Sequence, residues 1–318
     1  MKRYILLCLC FLFTGCQSQV NTLTPQHTLN YPYTFSQEDF YTEYEDIIPI
    51  PHSDYPVKII KPGTYFLSGE YSHGIIIDVE QEDVRLILDD AHFSLQNEAM
   101  LTVEAANRVQ ISLEANSNST ISVIDDTVIK ASSAIVFNGL GTLSITNNIT
   151  PAITSSQDII FINGNYTIQG TIQSRNLIAV YEANLNLSSD KEVLRVNHPH
   201  HQGLIYFQNG TVMTSTPEQP FKCDGSIASN AATLILDTKT ALDIPNSFKT
   251  TQPYLAYALD NTYEGKLALN DSHKTLFSWT PKTDYQYISI ISSQLLSQHD
   301  YILIHQDIQK TEKAMLPS

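Results

Sequence analysis

Ile159-Ile160-Phe161-Ile162-Asn163-Gly164 is a short apolar strand closed by a residue pair that tolerates positive φ. The arrangement returns at Ile205-Tyr206-Phe207 followed by Asn209-Gly210, and similar strands stand at 84–88, 109–113, 143–145, 177–180 and 234–236. Their spacing is irregular but mostly about 17–26 residues, inside the range of solenoid repeats. No long apolar run with a 3.6-residue period interrupts them. A unit of that length built from short strands cannot bury its apolar face by itself, whereas coils stacked on one another can. The stretch 57–236 is therefore predicted to form a right-handed, single-stranded parallel β-helix in an all-β chain. A β-sandwich would need paired hairpin turns and alternation throughout, and here Asn-Gly recurs once per coil.

Downstream, 256–259, 266–269, 275–279, 287–291 and 301–305 alternate like antiparallel strands, with turns at Asp260-Asn261 and Asn270-Asp271. Open solenoid ends expose core and unpaired edges, so 237–310 is expected to supply a C-terminal antiparallel β cap, with 311–318 as a tail. Upstream, Lys2 and Arg3 precede an apolar run over 4–13 that is too short to span a bilayer. Phe13-Thr14-Gly15-Cys16 has the form of a lipoprotein processing site. The expectation is a leader over 1–15, lipidation of Cys16 and a membrane anchorage without a transmembrane helix. Residues 16–56 read as a polar tether and an aromatic lead-in containing Tyr31, Tyr33, Phe35, Phe40, Tyr41 and Tyr44, which should settle on the body.

After removal of the leader and acylation of Cys16, Cys223 is the one thiol left, so neither an internal disulfide nor a cysteine-based metal site can form. The formal charge of −15 becomes −17 when Lys2 and Arg3 are removed. Such a surface argues against nucleic acid, and against acidic sugars unless a cation bridges them. Only 16% of residues are charged, and abundant Ser, Thr, Asn and Gln suit a long β surface.

The stretch 59–122 carries Ile60-Lys61-Pro62-Gly63-Thr64-Tyr65-Phe66-Leu67-Ser68-Gly69, His73-Gly74-Ile75-Ile76-Ile77-Asp78, Glu82-Asp83-Val84-Arg85-Leu86-Ile87-Leu88-Asp89 and Ala106-Asn107-Arg108-Val109. It resembles the bacterial carbohydrate-binding-domain surface proteins, whose parallel β-helix is related to that of polysaccharide lyases. Phe277-Ser278-Trp279-Thr280-Pro281-Lys282 with Tyr301-Ile302-Leu303 is similar to that family's closing segment. The resemblance implies binding of cellulose-like or acidic, pectin-like polysaccharide, with calcium held in the helix. Where the family repeats Asp-Asp or Asp-Gly-Ile turns, this chain has Pro151-Ala152-Ile153, Gly170-Thr171-Ile172 and Glu192-Val193-Leu194, leaving Asp158 alone. A calcium site of six to eight oxygens loses its carboxylates there.

With Leu or Ile at alternate positions taken as inward, the first strand of each coil turns apolar outward in the second half. Ile160, Ile178, Tyr206 and Gln208 are thus the candidate glycan contacts, unless the aromatic lead-in or the cap covers them. Asp125-Asp126 is a candidate cation pair whose plainer reading is a turn. His198-Pro199-His200-His201 lacks partner ligands and reads as a loop. No paired carboxylates at a defined separation, no Gly-x-Ser-x-Gly elbow and no lyase-type arginine motif are present. The expected function is non-catalytic polysaccharide binding by a surface lipoprotein. The alternatives are a degenerate calcium-dependent lyase and an adhesive protein docking a protein partner. The oligomeric state is open.

Overall fold

The computed structural model describes Phe35 and residues 46–149, 151–272, 274–306 and 308–317. The leader, Cys16 and, Phe35 apart, the tether and lead-in up to residue 45 lie outside the described residues. The chain is all-β, 58% strand, and winds into a solenoid of about seven turns. A single helical turn, Ile244–Ser247, is present among the described residues, and no helix there is long and apolar enough to cross a membrane.

Each full turn contributes three strands. In the middle of the solenoid the first flank stacks Arg108–Leu113, Ala134–Gly139, Ile159–Phe161, Leu177–Tyr181 and Leu204–Gln208, all parallel. The second flank stacks Asn118–Ile124, Thr142–Asn147, Asn165–Gln169, Asn184–Ser188 and Thr211–Ser215. The third is an eight-stranded parallel sheet running from Val57–Ile59 to Phe221–Cys223. Near the N-terminal end the first two flanks merge in the long strands Gly63–Tyr71 and Asp83–Gln96, with a register shift between Leu67 and Gly69. The ladder begins ahead of Val57, because Ile47–Pro49 already pairs in parallel with Thr64, Tyr65 and Phe66.

Parallel stacking places like on like. Ile135, Ile159, Ile178, Ile205 and Ile227 follow one another in register on the inner side of the first flank. Ile129, Ile153, Ile172, Leu194 and Phe221 do the same on the third. Phe137 stacks on Phe161 with centroids 4.6 Å apart, and Tyr166 meets both rings edge-on. The core is one continuous cluster, as expected where β-branched and aromatic side chains face a shared interior. Turns between the first and second flanks need positive φ. Gly139 sits at φ +102°, and a Cβ there would lie 2.1 Å from the Leu113 carbonyl oxygen. Its N–H donates to Asn163 Oδ1 of the next turn at 2.7 Å.

Parallel growth stops at Thr233–Thr238, which pairs antiparallel with Tyr285–Ile291, itself paired with Tyr254–Tyr263. A four-stranded antiparallel sheet follows, in the order Thr275–Trp279, Leu267–Asn270, Asp300–His305, Ile308–Lys313. The last of these strands has no counterpart in the sequence-based assignment. Ile235, on the outer side of the final second-flank strand, enters this region's own apolar cluster with Leu267, Leu269, Trp279 and Tyr285. At the junction Trp279 Nε1 donates to both carboxylate oxygens of Asp237, each at 3.1 Å. Asp237 is 1% exposed. Burial strips water from its charged form and pushes its pKa up to about 8, against a smaller downward pull from the indole N–H. Burial, and then the Asp237 charge, also raise the Tyr285 hydroxyl.

Folded Asp237 therefore holds its proton above the pH at which the unfolded chain releases it, near 3.8. Stability should fall as pH rises from about 4 to about 8 and then level off. Asp237→Asn retains an acceptor for Trp279, so its advantage over the parent in urea melts should grow across that window. An unchanged difference at every pH would refute the buried neutral carboxyl.

Candidate functional site

The three outer faces differ sharply. On the first flank Val136, Ile160, Ile162, Leu177, Ala179, Leu204, Tyr206 and Ala228 form a second apolar cluster outside the solenoid wall. Phe35 packs against it, with ring centroids 4.9 Å from Tyr181 and 6.3 Å from Tyr206. Tyr206 is 0% exposed and Ile160 3%. This is the covered alternative for that stripe, and it removes Ile160 and Tyr206 as contact surface. Ile178 faces the opposite way, since its register with Ile159 and Ile205 puts it in the main core. Gln208 is half-buried and accepts the Tyr206 hydroxyl at 3.1 Å.

The third flank presents a column of central residues that includes Lys58, Lys130, Arg195 and Lys222. Most of its charges are spoken for. Lys58 meets Asp78 at 2.9 Å and Glu104 at 3.0 Å, and these partners, Asp78 first, raise its pKa. Lys130 pairs with Asp126 at 2.5 Å, and Arg195 with Glu192.

The second flank is open and polar. Alternation along its strands sends Ile121, Ile145, Ile168 and Leu187 inward and their neighbours outward. Pairing aligns Asn118, Thr142, Asn165 and Asn184 in one row, and Thr120, Ser144, Thr167 and Asn186 in the next. A third row holds Ser122, Thr146, Gln169 and Ser188. Thr146 and Gln169 fall in this row by their equal offset from the paired Ile145 and Ile168. Rows repeat at the strand separation, about 4.8 Å. All twelve side chains are exposed or half-exposed, and none is charged. Asn184 Nδ2 donates to Asn165 Oδ1 at 3.0 Å, which aligns neighbouring amides along the solenoid axis.

Where the second flank turns toward the third, Ser144, Thr146, Asn148, Thr167, Gln169, Ser188 and Asp190 line a groove of about 420 Å³, walled by Lys282 and Thr283. Ser215 Oγ accepts the Lys282 N–H at 2.9 Å and holds that wall in place. The sequence carried the signal for this face in the strict apolar–polar alternation of Leu143-Ser144-Ile145-Thr146, Tyr166-Thr167-Ile168-Gln169 and Leu185-Asn186-Leu187-Ser188. Sequence reasoning followed the first strand of each coil and passed over it.

The acidic pair falls in a turn. Asp125 has φ +61°, and its Oδ1 accepts from Asn148 Nδ2 at 2.9 Å. Asp126 Oδ1 accepts the Thr127 N–H at 2.7 Å and faces Lys130. Among the described residues no third His, Cys, Asp or Glu joins them or forms any metal-binding group of three. This donor set does not fit a calcium ion of six to eight oxygens. The histidines form a loop turn, with His201 N–H on the His198 carbonyl at 3.1 Å and His201 Nδ1 3.9 Å from Asp224.

A β-solenoid with one flat, uncharged polar flank defines the class. A family model for carbohydrate-binding domain-containing proteins matches residues 53–272, and the chain belongs to that family. A carbohydrate-binding domain-containing protein of Acetivibrio thermocellus is 26% identical in a 131-residue alignment that covers 37% of this chain and 46% of the relative. The match thus spans about half of that protein's length. The polysaccharide lyase-like protein from C. thermocellum, solved as a gadolinium derivative, shares the fold. Its TM-score is 0.56 at 20% identity, over 63% of this chain and 86% of that one.

The contrast between flanks is measurable. Ile160→Asp places an unpaired charge in the covered stripe and should cost about 3–5 kcal/mol. Thr167→Asp on the open face should stay within about 0.5 kcal/mol of the parent. Equal losses in thermal melts would mean that the two faces are not as different as their burial states.

Proposed function

We propose that the protein is an exported surface lipoprotein, anchored through Cys16, that binds a neutral cellulose-like polysaccharide along its second flank without cutting it. The observation that carries this reading is the register-matched array of twelve uncharged Asn, Thr, Ser and Gln side chains on a chain of formal charge −15. Hydroxyls and amides offer donors and acceptors to a polymer of hydroxyls. An acidic, pectin-like chain would find no cation among the twelve side chains, and a single one, Lys282, on a groove wall that also carries Asp190. Acid–base chemistry needs a titratable group within hydrogen-bond reach of the substrate; the twelve positions hold none, and His92, next in register to Thr120, already bonds that hydroxyl at 2.9 Å. Family membership and the lyase-like fold neighbour support a polysaccharide partner.

In this reading the solenoid winds right-handed, as about 98% of parallel crossovers in one sheet do, and the C-terminal antiparallel strands act as its cap. The cap also walls the groove through Lys282 and Thr283.

Retention on amorphous cellulose should fall by about tenfold or more in Ser144→Glu/Thr167→Glu, a loss of at least about 1.4 kcal/mol. The parent should bind equally well with EDTA present and release no unsaturated products from polygalacturonate. Undiminished retention of the double variant would sink the flank assignment. Accumulating absorbance from unsaturated ends would instead favour a lyase. Cys16→Ser should move the protein from the membrane fraction to the soluble one.

A further inference from the structure

The third flank ends before the other two. Its ladder stops at Phe221–Cys223, while the first flank continues with Ser226–Asn230 and a bridge from Ala228 to Lys249, and the second with Thr233–Thr238. Pro220 and Val196 carbonyls accept from Leu194 and Asp224 N–H groups, so the alternate backbone groups of Phe221 and Cys223 turn to the open side. A cleft of about 760 Å³ fills the place of the missing strand, closed on its far side by Ile244–Ser247. That volume lies inside the roughly 300–1,000 Å³ typical of small-molecule sites.

Its floor is apolar, from Phe221, Ile227, Leu242 and Phe248, with the two phenylalanine rings edge-on at 5.9 Å. Its rim is polar, and Glu218 and Lys222 contribute opposite charges there. Glu192 lines the cleft but is buried and paired with Arg195. An apolar floor under a rim of hydrogen-bonding groups without net charge matches a pyranose, which has a C–H face and a hydroxyl edge. The second-flank groove reaches Ser188, Ser189 and Asp190, and the cleft begins at Glu192 and resumes at Glu218, one turn further along the same corner. Groove and cleft are thus separate openings that neighbour one another on that corner.

Resting on the flank reading above, we infer that this cleft is a chain-end site, taking the terminal ring of a neutral oligosaccharide or of the polymer lying in the groove. Cys223 lines the cleft and is the free thiol among the described residues, which makes it a built-in reporter.

Alkylation of Cys223 by iodoacetamide, followed on its own peptide by mass spectrometry, should slow at least about threefold in millimolar cellotriose, since an occupied fraction of about two-thirds or more blocks the thiol. In Ser247→Trp, an exposed position on the rim, cellotriose affinity by calorimetry should fall by about tenfold while cellulose retention persists. An unchanged Cys223 rate with cellulose still bound overturns the chain-end site and leaves the flank reading standing. Loss of both cellulose and cellotriose binding in the parent overturns both. Cellotriose affinity untouched by Ser247→Trp also counts against the cleft.

Discussion

Every other feature of this molecule follows from one constraint: no single coil can shield its own apolar face, so each must lie in register on the next. Residues at equivalent positions then stack at the strand spacing. The inner rows must be shape-compatible along the whole axis, as Ile135 to Ile227 and Phe137 with Phe161 are. A one-residue slip on the second flank would turn Ile145, Ile168 and Leu187 outward and put Ser, Thr and Asn inside. Register is fixed by the core, and the core thereby fixes the outer rows as well. An array such as Asn118, Thr142, Asn165 and Asn184 comes from the same stacking, with no separate device needed to align it.

The three flanks meet their outward obligations in different ways. The first is apolar on both sides and must be covered, which accounts for the burial of Ile160 and Tyr206 beside Phe35. The third neutralises most of its cations with neighbouring acids. Only the second keeps a flat face of uncharged hydrogen-bonding groups in water. The flanks also end differently. The second hands its last strand to the antiparallel Tyr285–Ile291 and is tied to the four-stranded sheet by the Asp237–Trp279 contact, whereas the third simply stops and leaves a cleft.

Those differences explain what the sequence made legible. Short strands with Asn-Gly at recurring turns were enough for a solenoid, because positive φ at Gly164, Asn209 and Gly210 is a local requirement. Side-chain direction was harder. Leu177-Ile178-Ala179-Val180 is apolar at every position because both sides of the first flank are buried, and no alternation remains to set the phase. The sequence alone therefore points Ile178 outward, where the structure turns it into the core. Leu143-Ser144-Ile145 and Leu234-Ile235-Leu236 look like first-strand segments in sequence although they lie on the second flank. The partner of Asp237 was invisible, since Trp279 is distant in sequence and nothing local marks a buried carboxyl.

A flat polar array also dictates the kind of ligand it can hold. Each hydrogen bond to a sugar replaces one to water, so a typical contact nets only about 0.5–1.5 kcal/mol. Ordering the ligand offsets much of that. A single ring on such a face gains almost nothing. A stiff polymer spreads the cost of alignment over many rungs, and each further contact forms at a high effective concentration. On the proposed reading the geometry of the second flank selects for length, while a cleft with an apolar floor selects for the identity of one ring. A solenoid that offers both on one corner can separate the two tasks, with retention handled by repetition and discrimination by the apolar floor.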